Sequence, residues 1–189
     1  MGPFLFPWGA RLVVIREMQA HDRSGVAALE TVFETSTVYD VVTTARRVEL
    51  VPRALAVPLV KRYPIADVFA DWARWDTAWV AEAGGAIVGF AATEYEDWHS
   101  RAVLWHLYVD PRHRRAGIAR ELLERVEEHA RLRGAERVWL ETSSVNVPGI
   151  AFYERMGFSL CGADATFYAG TYARDEAAIF LAKSVRSSV

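Results

Sequence analysis

Leu107-Tyr108-Val109-Asp110-Pro111-Arg112-His113-Arg114-Arg115-Ala116-Gly117-Ile118-Ala119 holds a strand, a basic loop and the start of a helix. An apolar and aromatic run stops at Pro111, a close Ala/Gly pair follows, and Leu122, Leu123, Val126 and Ala130 then recur at helical spacing until Gly134. A helix N-terminus presents N–H groups without acceptors and about half a positive charge, and small residues let an anion approach the backbone. Arg112, Arg114 and Arg115 add formal charge at the rim. Taken alone, such a junction is as readily a solvated basic turn as a pyrophosphate site.

The elements on either side are strands and helices in alternation. Downstream, Val138–Thr142 is β-rich, and Pro148–Met156 is a short helix closed at Gly157, where a cap favours a residue without a side chain. Phe167–Tyr172 and Ala177–Leu181 are expected to form a last hairpin. Upstream, Ala102–Val109 is a strand, and Trp79–Glu82 with Ala86–Ala92 is a hairpin turning at Gly84-Gly85. Residues 36–76 are cut by Pro52, Pro58 and Pro64, while Val68, Phe69, Trp72 and Trp75 have helical spacing, so irregular chain and short helices are expected. Asp22–Phe33 is expected as a helix with Asp22 as its N-cap, and Arg11–Glu17 as a first strand. The sum is an α/β sandwich around a mixed sheet, one domain over residues 11–185.

Composition narrows the function classes. The chain has 189 residues, 52% of them apolar, enough for one substantial core. A net charge of −2 argues against nucleic acid or an anionic membrane surface as partner. Cys161 is the single cysteine, so no intrachain disulfide can form, and a reducing cytoplasm fits. Residues 1–10 are interrupted by Pro3 and Pro7 and are expected as an ordinary N-terminal extension. No His pair has metal-ligand spacing, so no metal is expected. His106 and His113 are expected to be structural. The sequence also lacks a Gly-x-x-x-x-Gly-Lys-Ser/Thr loop and a Gly-x-Gly-x-x-Gly after a first strand, the two usual nucleotide-phosphate patterns.

Arg114-x-x-Gly117-x-Ala119 after a strand resembles the acetyl-CoA loop of the GNAT family of N-acetyltransferases. Asn146-Val147-Pro148-Gly149-Ile150-Ala151-Phe152-Tyr153-Glu154-Arg155-Met156-Gly157-Phe158 resembles the downstream half of the same pattern. The resemblance implies the GNAT fold, with a mostly antiparallel sheet splayed at an acetyl-CoA cleft. It also implies that Arg114 and the backbone N–H groups of Arg115, Ala116, Gly117, Ile118 and Ala119 hold the pyrophosphate. Leu107, Tyr108 and Val109 would pair with the pantetheine arm and polarise the thioester, and Asn146 would hydrogen-bond that arm.

The chemistry ranks the side chains that remain. An alkyl amine with a pKa near 10.4 costs about 4 to 5 kcal/mol to deprotonate at pH 7, whereas a thiol near 8.5 leaves with modest help. A base is therefore the first requirement. Glu141, at the end of a strand, is the preferred base, with solvation or anchoring of a cationic acceptor as the competing role and Glu94 and Glu96 in reserve. Tyr153 is the corresponding acid at the sulfur in enzymes of this type. Glu94, Glu96, Asp97 and Tyr39 are expected to bind the acceptor, and Asp40, Asp164, Asp175 and Glu176 extend the acidic set.

A narrower resemblance covers the C-terminal half. Leu140-Glu141-Thr142, Asn146-Val147-Pro148, Phe152-Tyr153, Gly157-Phe158-Ser159-Leu160 and Asp175-Glu176-Ala177-Ala178-Ile179-Phe180 are similar to the streptothricin (nourseothricin) acetyltransferases. It implies a small cationic amine as acceptor. Cys161, with no base of known geometry beside it, is expected to be buried filler and not an acyl carrier, so direct transfer is expected. Acetylation of protein N-termini and non-catalytic acyl-CoA binding are the alternatives, and a homodimer is allowed.

Overall fold

A computed structural model of the chain describes residues 13–186. The expected extension over residues 1–10, and Arg11 and Leu12 of the first strand, lie outside them. Among the described residues no helix is long and apolar enough to cross a membrane.

The central sheet has seven strands. They are β1 (Val13–Glu17), β4 (Thr77–Ala83), β5 (Ala86–Glu96), β6 (Arg101–Val109), β7 (Arg137–Ser143), β8 (Ser159–Asp164) and β9 (Ala178–Ser184), in the order β1-β4-β5-β6-β7-β9-β8. Every neighbouring pair is antiparallel except β6 and β7. Parallel neighbours need a crossover, and α2 (Ile118–Leu132) supplies it. Its Leu122, Leu123, Val126 and Ala130 are fully buried against the sheet, and each of the three larger ones contributes about 1.5–3 kcal/mol. Gly89 of β5 lets the helix close in: a Cβ there would lie 3.1 Å from both Ile118 and Leu122. A second apolar cluster on Val26, Leu29, Val68, Val80 and Phe90 covers the opposite face. The mixed, mostly antiparallel sheet flanked by helices is therefore observed as expected.

The sheet opens at one place. β6 and β7 pair only from Arg101↔Arg137 to Leu104↔Leu140. On its other side β6 carries a bulge, since Ala92 pairs with His106 and Thr93 with Leu104, which leaves Trp105 as the extra residue. Beyond it, β6 keeps β5 on one edge and among the described residues has no strand on the other, while β7 continues alongside β9.

Three expectations are corrected. The helix Asp22–Phe33 is reduced to a 3-10 turn (Ala20–Asp22) and α1 (Arg23–Ala27), because β-branched and aromatic residues from Val32 onward enter a strand instead. Asp22 does not cap α1 with its side chain. It accepts the Gln19 N–H at 2.7 Å and a two-pronged Arg16 guanidinium, both prongs at 2.7 Å.

Residues 36–76 are largely regular. β2 (Val32–Thr44) and β3 (Arg47–Arg62) form a long antiparallel ribbon, followed by a 3-10 turn at Ile65–Phe69. The prolines are tolerated because neither need donate to the ladder. Pro52 faces Tyr39, whose own N–H points away from the ribbon to Ser144 O at 3.0 Å, and Pro58 lies in the irregularity between Thr35↔Leu59 and Thr37↔Ala54. In the last hairpin, β9 pairs with Ser159–Asp164, and residues 167–172 belong to the connecting loop.

Candidate active site

The basic loop is built from the inside. Buried Asp110 accepts the N–H, Nε and Nη2 of Arg112, the last at 2.8 Å, and this holds its carboxyl down at about 2. Arg112 is therefore committed to the chain. Arg114 is committed as well: Nε donates to Val109 O at 3.0 Å and Nη2 to Val32 O at 2.6 Å, which ties the loop to the ribbon. Arg115 (φ 63°) and Gly117 (φ 85°) adopt the left-handed conformation. Consecutive turns of this kind aim backbone N–H groups into one concavity. Glu121 N–H bonds back to Gly117 O, whereas those of Arg115 to Ala119 find no acceptor among the described residues. An anion fits that cradle, and Arg115 beside it forms no ion pair among the described residues, unlike Arg112.

The free edge of β6 from Trp105 to Val109 leads from this cradle into the opening. Across it, Asn146 caps α3 (Val147–Arg155). Its Oδ1 accepts Gly149 N–H at 3.1 Å and its Nδ2 donates to Thr142 Oγ1 at 2.9 Å. One amide hydrogen is left for a ligand. Gly149 has no room for a side chain, since a Cβ would sit 2.4 Å from Asn146 Nδ2.

Glu141 lies on β7 just past the point where β6 and β7 separate, on the same face as Trp139 and Ser143. Its Oε1 accepts the Tyr168 hydroxyl, and no hydrogen bond to Oε2 is formed among the described residues. Burial pushes its carboxyl above the usual range, against the opposing pull of Tyr168 and Lys61. Beside it Glu176 pairs with Lys61 and accepts the Ser143 hydroxyl. The Lys61 ammonium is 5.1 Å from the ring of Tyr63 and 5.8 Å from that of Tyr172. Tyr153 of α3 is buried between Phe152 and Phe158. Burial first, and then the charge of Glu141, push its phenol well above the ordinary tyrosine value.

The remaining expected site residues are dispersed. Glu94 accepts Trp105 Nε1 at 2.9 Å, beside the exposed Trp72, whose ring is 6.3 Å from that of Trp105. Glu96 is taken by Arg101 at 2.6 Å and His99 at 2.9 Å. Arg101 pairs with Arg137, four residues before Glu141 on β7, so Glu96 and Asp97 stand about 13 Å down the strands from it. Tyr39 is the exception: it packs on the main core with its N–H on Ser144 O, beside Ser143 at the end of β7, whereas Asp40 pairs with Arg53 on the ribbon. Asp164 caps a turn at Thr166. His106 is buried, its imidazole held neutral at about 4 by burial. Cys161, expected to be buried, is exposed, and the partial burial of its thiol raises that group above its ordinary value. Lys61, Tyr63, Tyr168 and Tyr172 were not among the expected site residues; aromatic density was the one local signal for the last two.

Residues 49–158 match the acetyltransferase (GNAT) family. Over 173 residues the chain is 36% identical to streptothricin acetyltransferase of Streptomyces lavendulae, covering 88% of this chain and 92% of that one. It is 34% identical over 95 residues to the ribosomal protein bS18-alanine N-acetyltransferase of Escherichia coli (strain K12), covering 50% of this chain and 63% of that one. Among solved structures, nourseothricin acetyltransferase superposes with a TM-score of 0.84 at 32% identity, over 92% of this chain and 99% of that one. A structure from Bacillus anthracis str. Ames in complex with acetyl coenzyme A shares the fold with a TM-score of 0.77 at 22% identity, with the same coverage.

Proposed function

The chain belongs to the GNAT acetyltransferase family and is an acetyl-CoA-dependent N-acetyltransferase, and from that premise we propose that it acetylates a primary amine of a small cationic molecule. A streptothricin-like antibiotic is the first acceptor to test, followed by polyamines and amino acids. The observation that carries the reading is the wall around Glu141: one carboxylate with an open Oε2, its pKa raised by burial, bordered by Tyr168 and by Tyr63 and Tyr172, whose rings also flank the Lys61 ammonium. Such a wall attracts an ammonium through charge and aromatic faces together.

When bound, acetyl-CoA supplies a thioester carbonyl open to nucleophiles. The N–H groups of Arg115 to Ala119 would hold its pyrophosphate, the free edge of Leu107 to Val109 would pair with its arm, and the spare amide hydrogen of Asn146 would fix that arm. Glu141 takes the proton of the incoming amine at Oε2. Its raised pKa narrows the gap to the amine, which makes transfer less uphill. The free amine then attacks the carbonyl, the carbon–sulfur bond breaks, and the second proton shed by the new amide nitrogen balances the one gained by the leaving sulfur, toward which Tyr153 offers its O–H. Glu94, beside Trp105 and Trp72, is a second anchor for an extended acceptor.

Thiol release from acetyl-CoA, measured against streptothricin-type and aminoglycoside antibiotics, polyamines, amino acids and N-terminal peptides, tests the reading. Antibiotics or polyamines should accelerate release. Acceleration by peptides alone would replace the reading with protein N-terminal acetylation, and no acceleration by any amine would leave acyl-CoA binding without transfer.

A further inference from the structure

Lys61 is a lysine in an unusual place. Its side chain is 8% exposed, and its partner Glu176 is 16% exposed. A buried ammonium persists only if paired and further solvated, and here Glu176 supplies the charge while the faces of Tyr63 and Tyr172 supply the rest. The pair joins two segments distant in the chain, the end of β3 and the loop between β8 and β9. That same loop carries Tyr168, the hydrogen-bond donor to Glu141. Ser143, which donates to Glu176, stands two residues from Glu141 on one face of β7. The acceptor wall thus holds two carboxylates side by side, and the chain has supplied its own cation to one of them.

We propose that Lys61 is a positioning residue of the acceptor site: by occupying Glu176 it leaves Glu141 as the carboxylate that meets the incoming amine, and it keeps that carboxylate charged. This rests on the reading of Glu141 as base. The groups facing Glu141 are Tyr168, Tyr172 and Glu176 from the β8–β9 loop, Lys61 and Tyr63 from the end of the ribbon, Tyr108 from β6 and Tyr153 from α3. Among the described residues Lys61 is the single cation that acts on Glu141. Its loss would set two uncompensated carboxylates against each other, and like charges that close disfavour joint ionisation.

The test is the pH dependence of kcat/KM with the best acceptor, for wild type, K61M, K61R, E176Q and E141Q. In K61M the acid limb should move up by about half a pH unit, a loss of about threefold on that limb. KM for a cationic amine should fall at the plateau because Glu176 is released to bind it. E176Q, which leaves Lys61 unopposed, should move the limb down and raise that KM, and K61R should restore the wild-type profile. Kd for acetyl-CoA should be unchanged throughout. Shifts of K61M and E176Q in the same direction, or a uniform loss at every pH, would reduce Lys61 to a structural tie and overturn the proposal. Should K61M not fold, E176Q carries the test alone, and an unmoved limb there overturns it. An acid limb that survives in E141Q would overturn the base reading and this inference with it, whereas a limb lost in E141Q but unmoved in K61M and E176Q would overturn this inference only.

Discussion

The phenol of Tyr168 donates its hydrogen bond to Oε1 of Glu141, from a loop without regular structure to a strand 27 residues earlier. A hydrogen bond to the charged form favours that form, so this contact opposes the burial that raises the Glu141 carboxyl. Tyr168→Phe removes the opposition. The acid limb of kcat/KM should move to higher pH by about one unit, about tenfold on the limb and under about threefold at the plateau. A pH–rate series in excess acetyl-CoA checks it.

Tyr153 acts at the other end of the reaction. A phenol held neutral far above pH 10 always has its O–H available, but it is a better hydrogen-bond donor than proton donor. Since a thiol leaves with modest help, Tyr153→Phe should lower kcat by only about tenfold, less than the roughly hundredfold or more typical of a proton donor, with Kd for acetyl-CoA unchanged. Single-turnover thiol release separates the two quantities.

Gly117 and Gly134 have nearly the same backbone, φ 85° and φ 79°, at opposite ends of α2. Alanine at either position should cost about 1 kcal/mol of stability, because a side chain strains the left-handed conformation. The cofactor should distinguish them. Gly117→Ala disturbs the cradle and should weaken acetyl-CoA binding about tenfold, while Gly134→Ala should leave it unchanged, as calorimetric titration would show.

Gly149 touches function through a cap. A methyl group there overlaps the Asn146 amide, so Gly149→Ala should displace it and lose its bonds to Gly149 N–H and Thr142. The expected cost is about 1–2 kcal/mol, typical of a lost N-cap, together with a higher KM for acetyl-CoA. Denaturant unfolding and steady-state kinetics check the two parts.

Far from the site, Asp22 is held at about 2, first by its hydrogen bonds to Arg16. A folded-state value below the unfolded one means that the contribution is complete above about pH 4 and is lost as pH falls through about 2. Asp22→Asn should destabilise the chain by about 2 kcal/mol at neutral pH, and the difference from wild type should shrink across that acid window. Urea unfolding at several pH values measures it.

The sequence disclosed the cofactor side more fully than the acceptor side, for a physical reason. An anion cradle is local: strand, loop, left-handed glycine and helix start lie within Leu107–Ala119, and each leaves its own mark on residue choice. The acceptor wall is non-local. Lys61 and Glu176 are 115 residues apart, and no periodicity joins them. The ribbon that delivers Lys61 was hidden as well, because Pro52 and Pro58 lower strand expectation, and only pairing geometry reveals that their missing N–H groups cost nothing. Glu96 and Asp97 were grouped with Glu141 on charge alone, whereas strand register keeps them apart.

The bulge at Trp105 has a consequence beyond opening the sheet. β6 runs nine residues, Arg101–Val109, against the eight of β5 from Gly89 to Glu96. Side chains alternate with a period of two, so the surplus residue is a half-period phase step. It keeps Leu104, Leu107 and Val109 together in the cluster under α2 and turns His106 and Tyr108 toward Phe90 on the other face. In unbroken alternation the same letters from His106 onward would exchange faces. Which side chains line the opening is thus decided by the parity of a residue count as much as by the identity of any residue in it.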